Sequence, residues 1–133
     1  MTKKCTCHSG HTYPECCMPY HEGTFPQSPL LLMRSRYAAY ALNLPEYIID
    51  TTHRDNPQYL SDTKQWKREI AQFSQATNFA GLTILDSDEA GETGSVTFRA
   101  TLLQSEQDIS FTERSLFKKG QGKWMYLSGE IFT

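Results

Sequence analysis

The chain has 133 residues, 38% of them apolar and 21% charged, and a formal net charge of −2. These values are ordinary for one folded domain, and they exclude a disordered chain and a strongly basic nucleic-acid-binding chain. No apolar run approaches the roughly 20 residues that cross a bilayer, and no hydrophobic segment follows Lys3 and Lys4. We therefore expect a cytoplasmic protein without a membrane partner.

All four cysteines lie near the amino end, as Cys5, Cys7 and the adjacent pair Cys16 and Cys17. Disulfides are rare in the cytoplasm, so such a cluster favours metal binding. Thiolates are good ligands for tetrahedral zinc, and four of them leave no position for a reactive water. The pattern therefore predicts a structural zinc site that orders residues 1 to about 24.

Other ligand sets and other readings of these cysteines stay open. His8, His11 and His21 lie in the same segment, and His8 is the first candidate to replace a cysteine. Iron also binds thiolate sites. A redox pair or four unrelated buried thiols are further alternatives, although no Cys-x-x-Cys spacing is present. Adjacent cysteines reach one ion only if a helix start or a tight turn redirects one of them.

The spacing Cys-x-Cys-x8-Cys-Cys, together with Ser9, Gly10 and Tyr13, resembles the SEC-C zinc motif. The resemblance implies a zinc knuckle that contacts another protein, as the motif does in the tail of the SecA translocation ATPase. This chain has Thr6 where the motif commonly has proline and His8 where it commonly has glycine. Histidine is one of the residues found at positive φ, so His8 is compatible with the turn.

Residues 22–29 mix Gly, Pro, Ser and Thr and predict a linker. We place the boundary at residue 25, which gives a knuckle over residues 1–25 and a second domain over residues 26–133. Ser28 followed by Pro29 predicts the start of an amphipathic helix.

Two further helices are predicted before Gly81. A short helix covers residues 45–52, and a longer helix begins near Thr63 with Asp62 as its cap. Its apolar residues recur at helical spacing. The large aromatic residues are interpreted mainly as core: Tyr37, Tyr40, Tyr47, Trp66 and Trp124.

After Gly81 the apolar period changes from about 3.6 to 2. Strands are predicted at residues 82–86, 96–103, 111–117 and 123–132, separated by turns. Helices first and consecutive strands afterwards predict an α+β domain with helices packed on one face of an antiparallel sheet.

This element order is similar to that of the NTF2-like cone, in which a curved sheet wraps around helices and leaves an apolar pocket. Five segments behind the cysteines resemble the YchJ-like family of small bacterial proteins: LMRSRYAAY (32–40), YIIDTTH (47–53), GLTI (81–84), ERSLF (113–117) and GKWMYLSG (122–129). The resemblance covers nearly the whole chain. It implies a zinc knuckle followed by an NTF2-like cone, and it implies no particular activity.

Three residues are candidates for chemistry in the cone: His53, Glu113 and Arg34. Arg34 and Arg36 lie about 200° apart on the first helix, and we predict that Arg34 flanks the pocket. If the three candidates converge, they form an acid/base pair with a cationic anchor for an anionic ligand. The alternative is a structural Arg–Glu ion pair and a histidine that caps a helix or turn.

Two functions are compatible with these features. The first is a zinc-binding accessory protein whose knuckle docks on another protein while the cone gives support or binds a small ligand. The second is a lyase- or isomerase-type enzyme acting in the cone. Nucleic acid is a poor partner, since 13 basic residues face 15 acidic ones. A homodimer can form through the outer sheet face, which carries Thr97, Arg99, Thr101 and Leu103.

Overall fold

The structure is a computed structural model and describes residues 3–132. A 3-10 turn at Tyr13–Glu15 precedes four helices and five strands. The helices are α1 (Met18–His21), α2 (Pro29–Ala41), α3 (Pro45–Asp50) and α4 (Thr63–Ala76), and the strands are β1 (Asn78–Ala90), β2 (Thr93–Gln104), β3 (Gln107–Asp108), β4 (Phe111–Gly120) and β5 (Lys123–Phe132). The predicted α+β order is confirmed.

Local side-chain chemistry sets the starts of the two long helices. The Ser28 hydroxyl accepts a hydrogen bond from the backbone N–H of Leu31 at 3.2 Å, and Pro29 occupies the first turn of α2. The Asp62 carboxylate accepts from the N–H of Gln65 at 3.1 Å and begins α4. Both predicted caps are therefore confirmed, because each one satisfies an N–H that the helix itself leaves unpaired.

The sheet is antiparallel with the strand order β1-β2-β4-β5, and β3 pairs with β2. Alternate residues of β2 face the helices and are buried, as predicted: Val96, Phe98, Ala100 and Leu102. The residues between them, Arg99 and Thr101, are exposed on the outer face.

Strand β1 extends beyond the predicted residues 82–86 and pairs with β2 from Asn78 to Ala90. Its last residues are polar and exposed, so their hydrophobic pattern does not reveal a strand. This part of β1 is held as a strand by its backbone hydrogen bonds to β2, not by burial of its side chains. Two register shifts interrupt this pairing, and β1 forms one edge of the sheet.

Helix α2 lies at the centre of the molecule. It contacts α1, α3, α4, β1, β2 and β5, and most of its side chains are buried. Leu32 is fully buried, and Ile48 of α3 packs in a second, smaller cluster with Ala39 and Ile70. Among residues 3–132, no helix is long and apolar enough to cross a membrane.

Candidate metal centre and candidate ligand cavity

The knuckle begins with a tight reversal of the chain. Lys4 pairs with Thr12 in an antiparallel bridge, and the N–H of Cys5 donates to the carbonyl of His11 at 2.8 Å. His8 and Gly10 adopt positive φ values of 62° and 92° within the reversal. The reading of His8 as a residue compatible with positive φ is therefore confirmed, and the turn directs the first two cysteines inward.

Cys16 and Cys17 lie at a junction between two helical turns. Cys16 ends the 3-10 turn, where its N–H donates to Tyr13, and Cys17 is the residue before α1. The backbone angles differ strongly between the two residues. The change of direction brings both sulfurs to one side, as two adjacent ligands of one ion require.

The four Sγ atoms lie within 4.8 Å of one another. The Cys7 sulfur is 3.5 Å from that of Cys16, which is 3.9 Å from that of Cys17. A tetrahedron with metal–sulfur bonds of about 2.3 Å places its sulfurs about 3.8 Å apart. All four cysteines are free thiols, and all but Cys16 are buried. The cluster therefore fits a tetrahedral metal ion.

When no cation is near them, deprotonation of one thiol makes deprotonation of its neighbours less favourable. A hydrogen bond from Cys17 lowers the pKa of Cys7 to about 4, and the same bond raises the pKa of Cys17 above its ordinary value. Burial raises the pKa of Cys16 to about 11. Four adjacent thiolates repel one another, so a bound cation is needed to keep them all deprotonated.

Two of the three histidines of the segment, His8 and His21, contact the cone. His8 Nε2 lies 3.0 Å from the carbonyl oxygen of Phe79. The two ring nitrogens of His21 lie 2.7 Å from the Tyr13 hydroxyl and 2.8 Å from the Ser35 carbonyl oxygen. Over residues 3–132, the group of ligating atoms consists of the four sulfurs alone. The structure gives no support to His8 as a substitute ligand.

Arg34 joins the knuckle to α2 and does not line the cavity. Its Nη1 donates to the carbonyl oxygen of Cys7 at 3.2 Å and lies 3.9 Å from the Cys7 sulfur. Arg36 lines the cavity instead, so the prediction for Arg34 is wrong. The reason is that α2 is covered on opposite sides, by the knuckle and by the cone, and so has two buried faces.

A cavity of about 640 Å³ lies between α2, α4 and the inner face of the sheet. Its walls are largely apolar and rich in aromatic side chains: Tyr37, Tyr40, Phe73, Phe79, Phe98 and Phe111. The exposed residues Gln58 and Glu69 lie at its edge, so the cavity reaches the surface there. Its volume is within the range of small-molecule sites.

Polar groups gather in one part of the cavity, around Glu113. The hydroxyl groups of Ser115 and Tyr126 both donate to Glu113 Oε2, the latter at 3.1 Å. Burial and the Glu113 charge raise the pKa of Tyr126, so its hydroxyl keeps its proton at neutral pH. Gly129 lies opposite Ser115, and a Cβ there would be 2.5 Å from the Tyr126 hydroxyl. Gly129 therefore leaves room for this group of hydrogen bonds.

Arg36 approaches the same region from α2. Its Nη1 donates to the Ile48 carbonyl and to the hydroxyls of Thr51 and Thr52 at 2.7–3.1 Å. Its guanidinium lies 4.5 Å above the centre of the Tyr126 ring. No ion pair joins Arg36 to Glu113 within the described part of the chain. Tyr126 thus contacts the cation through its ring and the carboxylate through its hydroxyl.

The three candidates for chemistry do not converge. Glu113 lines the cavity, as its strand position predicts, whereas Arg34 contacts the knuckle. His53 Nδ1 accepts from the N–H of Asp55 at 3.0 Å, in the turn after α3, and His53 is not among the cavity residues. This arrangement favours the alternative reading of His53 as a turn residue.

Arg36 and Tyr126 line the cavity, although the sequence did not predict either residue there. Tyr126 is difficult to place from the sequence because β5 has a bulge. Leu116 pairs with Ser128, but the next residue, Phe117, pairs with Tyr126, so β5 carries one extra residue at this point. The position of Ser115 in the cavity could be predicted, because residues 113 and 115 are two apart on a strand and therefore point to the same face.

Comparisons with known proteins agree on fold and family. The family described as "YchJ, middle NTF2-like domain" matches residues 28–129. A UPF0225 protein of Pectobacterium carotovorum is 36% identical, over 97% of this chain and 84% of that relative.

Two solved structures are similar over the whole chain. A SEC-C motif containing protein from Rhodopseudomonas palustris has a TM-score of 0.84 and 35% identity, over 97% of this chain and 98% of that one. A sec-c motif containing protein from Psychrobacter arcticus has a TM-score of 0.78 and 24% identity, over 100% and 84%, and supports the fold alone. The chain therefore belongs to the YchJ-like family, as a UPF0225 relative with an NTF2-like domain and an amino-terminal cysteine cluster of the SEC-C type.

Proposed function

We propose that this protein is a non-enzymatic accessory protein that binds a structural zinc ion in the knuckle and a small ligand in the cone. The cavity of about 640 Å³, with apolar walls and one polar region, carries the ligand-binding part of this proposal. The four clustered free thiols support the metal part and a reducing, cytoplasmic location.

A neutral fluorescent probe, N-phenyl-1-naphthylamine, tests the cavity. The dye should bind and brighten in the apolar cavity. Ala100→Phe, which places a large side chain in the cavity from β2, should weaken this binding at least about tenfold. The matched control is Thr101→Phe, on the exposed face of the same strand. Equal dye binding by wild type and Ala100→Phe would overturn the ligand-binding proposal.

Zinc is the metal we assign to the knuckle. Four sulfurs at tetrahedral spacing suit both zinc and iron, and divalent zinc binds such sites more tightly than ferrous iron. Elemental analysis of protein expressed in a medium with equal concentrations of zinc and iron should give one zinc ion per chain. A stoichiometric iron content, or no metal in the reduced protein, would contradict this assignment.

We further propose that the outward side of the knuckle docks on another protein. Lys4, His11 and Glu15 are exposed there while the cysteines face the cone. A photo-crosslinking residue at position 11 in the full chain should capture one defined protein in cells, and the same residue at Glu106, in the loop after β2, should not. Identical capture patterns at both positions would reject the docking role.

An enzyme of the lyase or isomerase type is the second candidate, favoured by the Glu113 carboxylate in an apolar cavity. In this function Glu113 removes a proton from a carbon next to a carbonyl group of the substrate. The measurement is deuterium incorporation at that position of 2-decalone, a cyclic ketone, in heavy water. Catalysis would be supported if wild type accelerates this exchange and Glu113→Gln does not. Equal exchange rates with the two proteins would exclude this reaction.

A homodimer through the outer sheet face stays a prediction. The exposed side chains of Arg99 and Thr101 lie on that face. The mass of the purified protein in solution tests it. The division of the chain into two domains at residue 25 also stays a prediction. The knuckle cysteines pack in the same apolar cluster as α2 and the sheet, so the knuckle does not have a separate apolar core.

A further inference from the structure

The polar region of the cavity contains an incomplete set of hydrogen bonds. Ser115 and Tyr126 both donate to Oε2 of Glu113. The other oxygen, Oε1, has no hydrogen-bond partner among residues 3–132, although Glu113 lines the cavity. A carboxylate in largely apolar surroundings is stabilised by hydrogen-bond donors at both oxygens. The protein supplies donors to only one of them.

The cation in the cavity wall does not fill this role. One nitrogen of Arg36 is already bonded to Ile48, Thr51 and Thr52, and the guanidinium face lies over the Tyr126 ring. Tyr126 presents its ring face to Arg36 and its hydroxyl to Glu113, and the two charged residues form no ion pair within the described chain. Oε1 is therefore available to a group that enters the cavity.

The neighbouring charges restrict what that group can be. A ligand carboxylate or phosphate at Oε1 would face the half-buried Glu113 carboxylate directly, and like charges at this distance repel each other. The exposed Glu69 adds a second negative charge at the cavity edge. A hydroxyl or ammonium group instead donates to a charged acceptor, which makes a strong hydrogen bond.

We propose that the cavity binds an apolar, ring-containing molecule that ends in a hydrogen-bond donor, a hydroxyl or an ammonium group, and that Glu113 Oε1 accepts this hydrogen bond. The proposal rests on the ligand-binding function proposed above and specifies its chemical class. The aromatic walls accommodate the ring system by edge-to-face contacts such as those that Phe98 makes with Phe111.

Four naphthalene derivatives with the same ring system test this class: 2-naphthol, 2-naphthylmethylammonium, 2-methoxynaphthalene and 2-naphthoate. Binding to the full-length, metal-loaded protein is measured by calorimetry. The two donors should bind at least about tenfold more tightly than the methoxy compound, which only accepts hydrogen bonds, and 2-naphthoate should bind most weakly. Comparison of the donors shows whether the neutral or the charged head is preferred.

Two variants assign the preference to Glu113. In Glu113→Gln the advantage of the donors over the methoxy compound should fall to less than about threefold, because the charged acceptor is lost. Glu130→Gln removes the same charge from the exposed face of the adjacent strand and should keep the wild-type preference.

The ligand series on the wild-type protein decides the proposal even if a variant does not fold. Equal binding of 2-naphthol, 2-naphthylmethylammonium and 2-methoxynaphthalene, or tightest binding of 2-naphthoate, would overturn the donor class and leave the ligand-binding cavity standing. An undiminished donor preference in a folded Glu113→Gln variant would overturn the role of Glu113. Binding of none of the four compounds, together with no binding of N-phenyl-1-naphthylamine, would overturn both proposals.

Discussion

The knuckle and the cone are held together in different ways. In the knuckle, the buried side chains are Cys5, Cys7 and Cys17, and backbone hydrogen bonds close short turns around them. The cone buries large apolar residues, such as Leu32 and Phe117, between α2 and the sheet. We therefore expect the knuckle to depend on a metal ion that its four sulfurs could hold, whereas the cone depends on removing apolar surface from water.

Helix α2 is where the two regions meet. Arg34 donates to the knuckle backbone, and Arg36, two residues further along, reaches the cavity. His21 also binds the Ser35 carbonyl from the knuckle side. The knuckle therefore covers one side of the helix that forms a wall of the cavity.

Metal removal should produce the largest effect. Metal binding contributes about 10–16 kcal/mol in small zinc modules, which exceeds what the three side-chain hydrogen bonds of His8, His21 and Arg34 between knuckle and cone contribute. Treatment of the reduced protein with a chelator should abolish amide-exchange protection over residues 3–22 and leave protection in β2 and β4, as measured by hydrogen exchange. Zinc addition after chelator removal is the control and should restore protection. A knuckle that stays protected without metal would contradict the contrast.

A core truncation should have the next largest effect. Leu32→Ala removes a fully buried side chain of α2 and should lower the free energy of unfolding of the zinc-loaded protein by about 2–5 kcal/mol. Urea denaturation measures this change. Leu85→Ala, at a side chain that is 56% exposed, is the control and should change it by less than about 0.5 kcal/mol. Similar losses in both variants would argue against the assigned core.

Loss of a helix cap should have a smaller effect. Asp62→Ala removes the acceptor for the Gln65 N–H and should lower the free energy of unfolding by about 1 kcal/mol. The neighbouring exposed Ser61 provides the matched control as Ser61→Ala. Thermal unfolding of the zinc-loaded proteins compares the two variants. An unchanged midpoint for Asp62→Ala would show that α4 does not depend on this cap.

The smallest effect concerns pH and His21. Burial lowers the pKa of His21 from 6.5, so the unfolded chain takes up this proton at a higher pH than the folded protein does. The stabilising contribution of neutral His21 to the free energy of unfolding is complete above about pH 6.5. It declines as the pH falls and levels off below the pKa of His21 in the folded protein.

The measurement is the free energy of unfolding of wild type minus that of His21→Gln, followed from pH 8 to pH 5. Acid effects that arise from the thiolates and the metal are common to both proteins, so the difference isolates His21. The difference should shrink as the pH falls below about 6.5. A difference that is constant with pH would show that burial does not perturb His21.

Features set by neighbouring residues could be predicted from the sequence. The caps at Ser28 and Asp62 depend on groups three residues apart, and the inward face of β2 follows from strict alternation. The cysteine spacing likewise brings four sulfurs together through short turns. In each case the required information lies within a few residues of the feature.

Features set by tertiary packing could not be predicted. Arg36 lines the cavity because α2 is covered on both sides, which the periodicity of α2 does not show. The end of β1 forms through pairing with β2, although its residues are exposed. Short elements such as α1 and β3 are too brief to carry a periodic signal.

Strand β1 forms a long edge of the sheet at which copies of the protein could meet at high concentration. An unpaired strand edge is a template on which the strands of other molecules can add, and such addition leads to aggregates. Here the end of the strand carries Asp86, Asp88 and Glu89, and its two register shifts distort the edge. Repulsion between like charges and the irregular backbone both oppose the addition of further strands along this 13-residue edge strand.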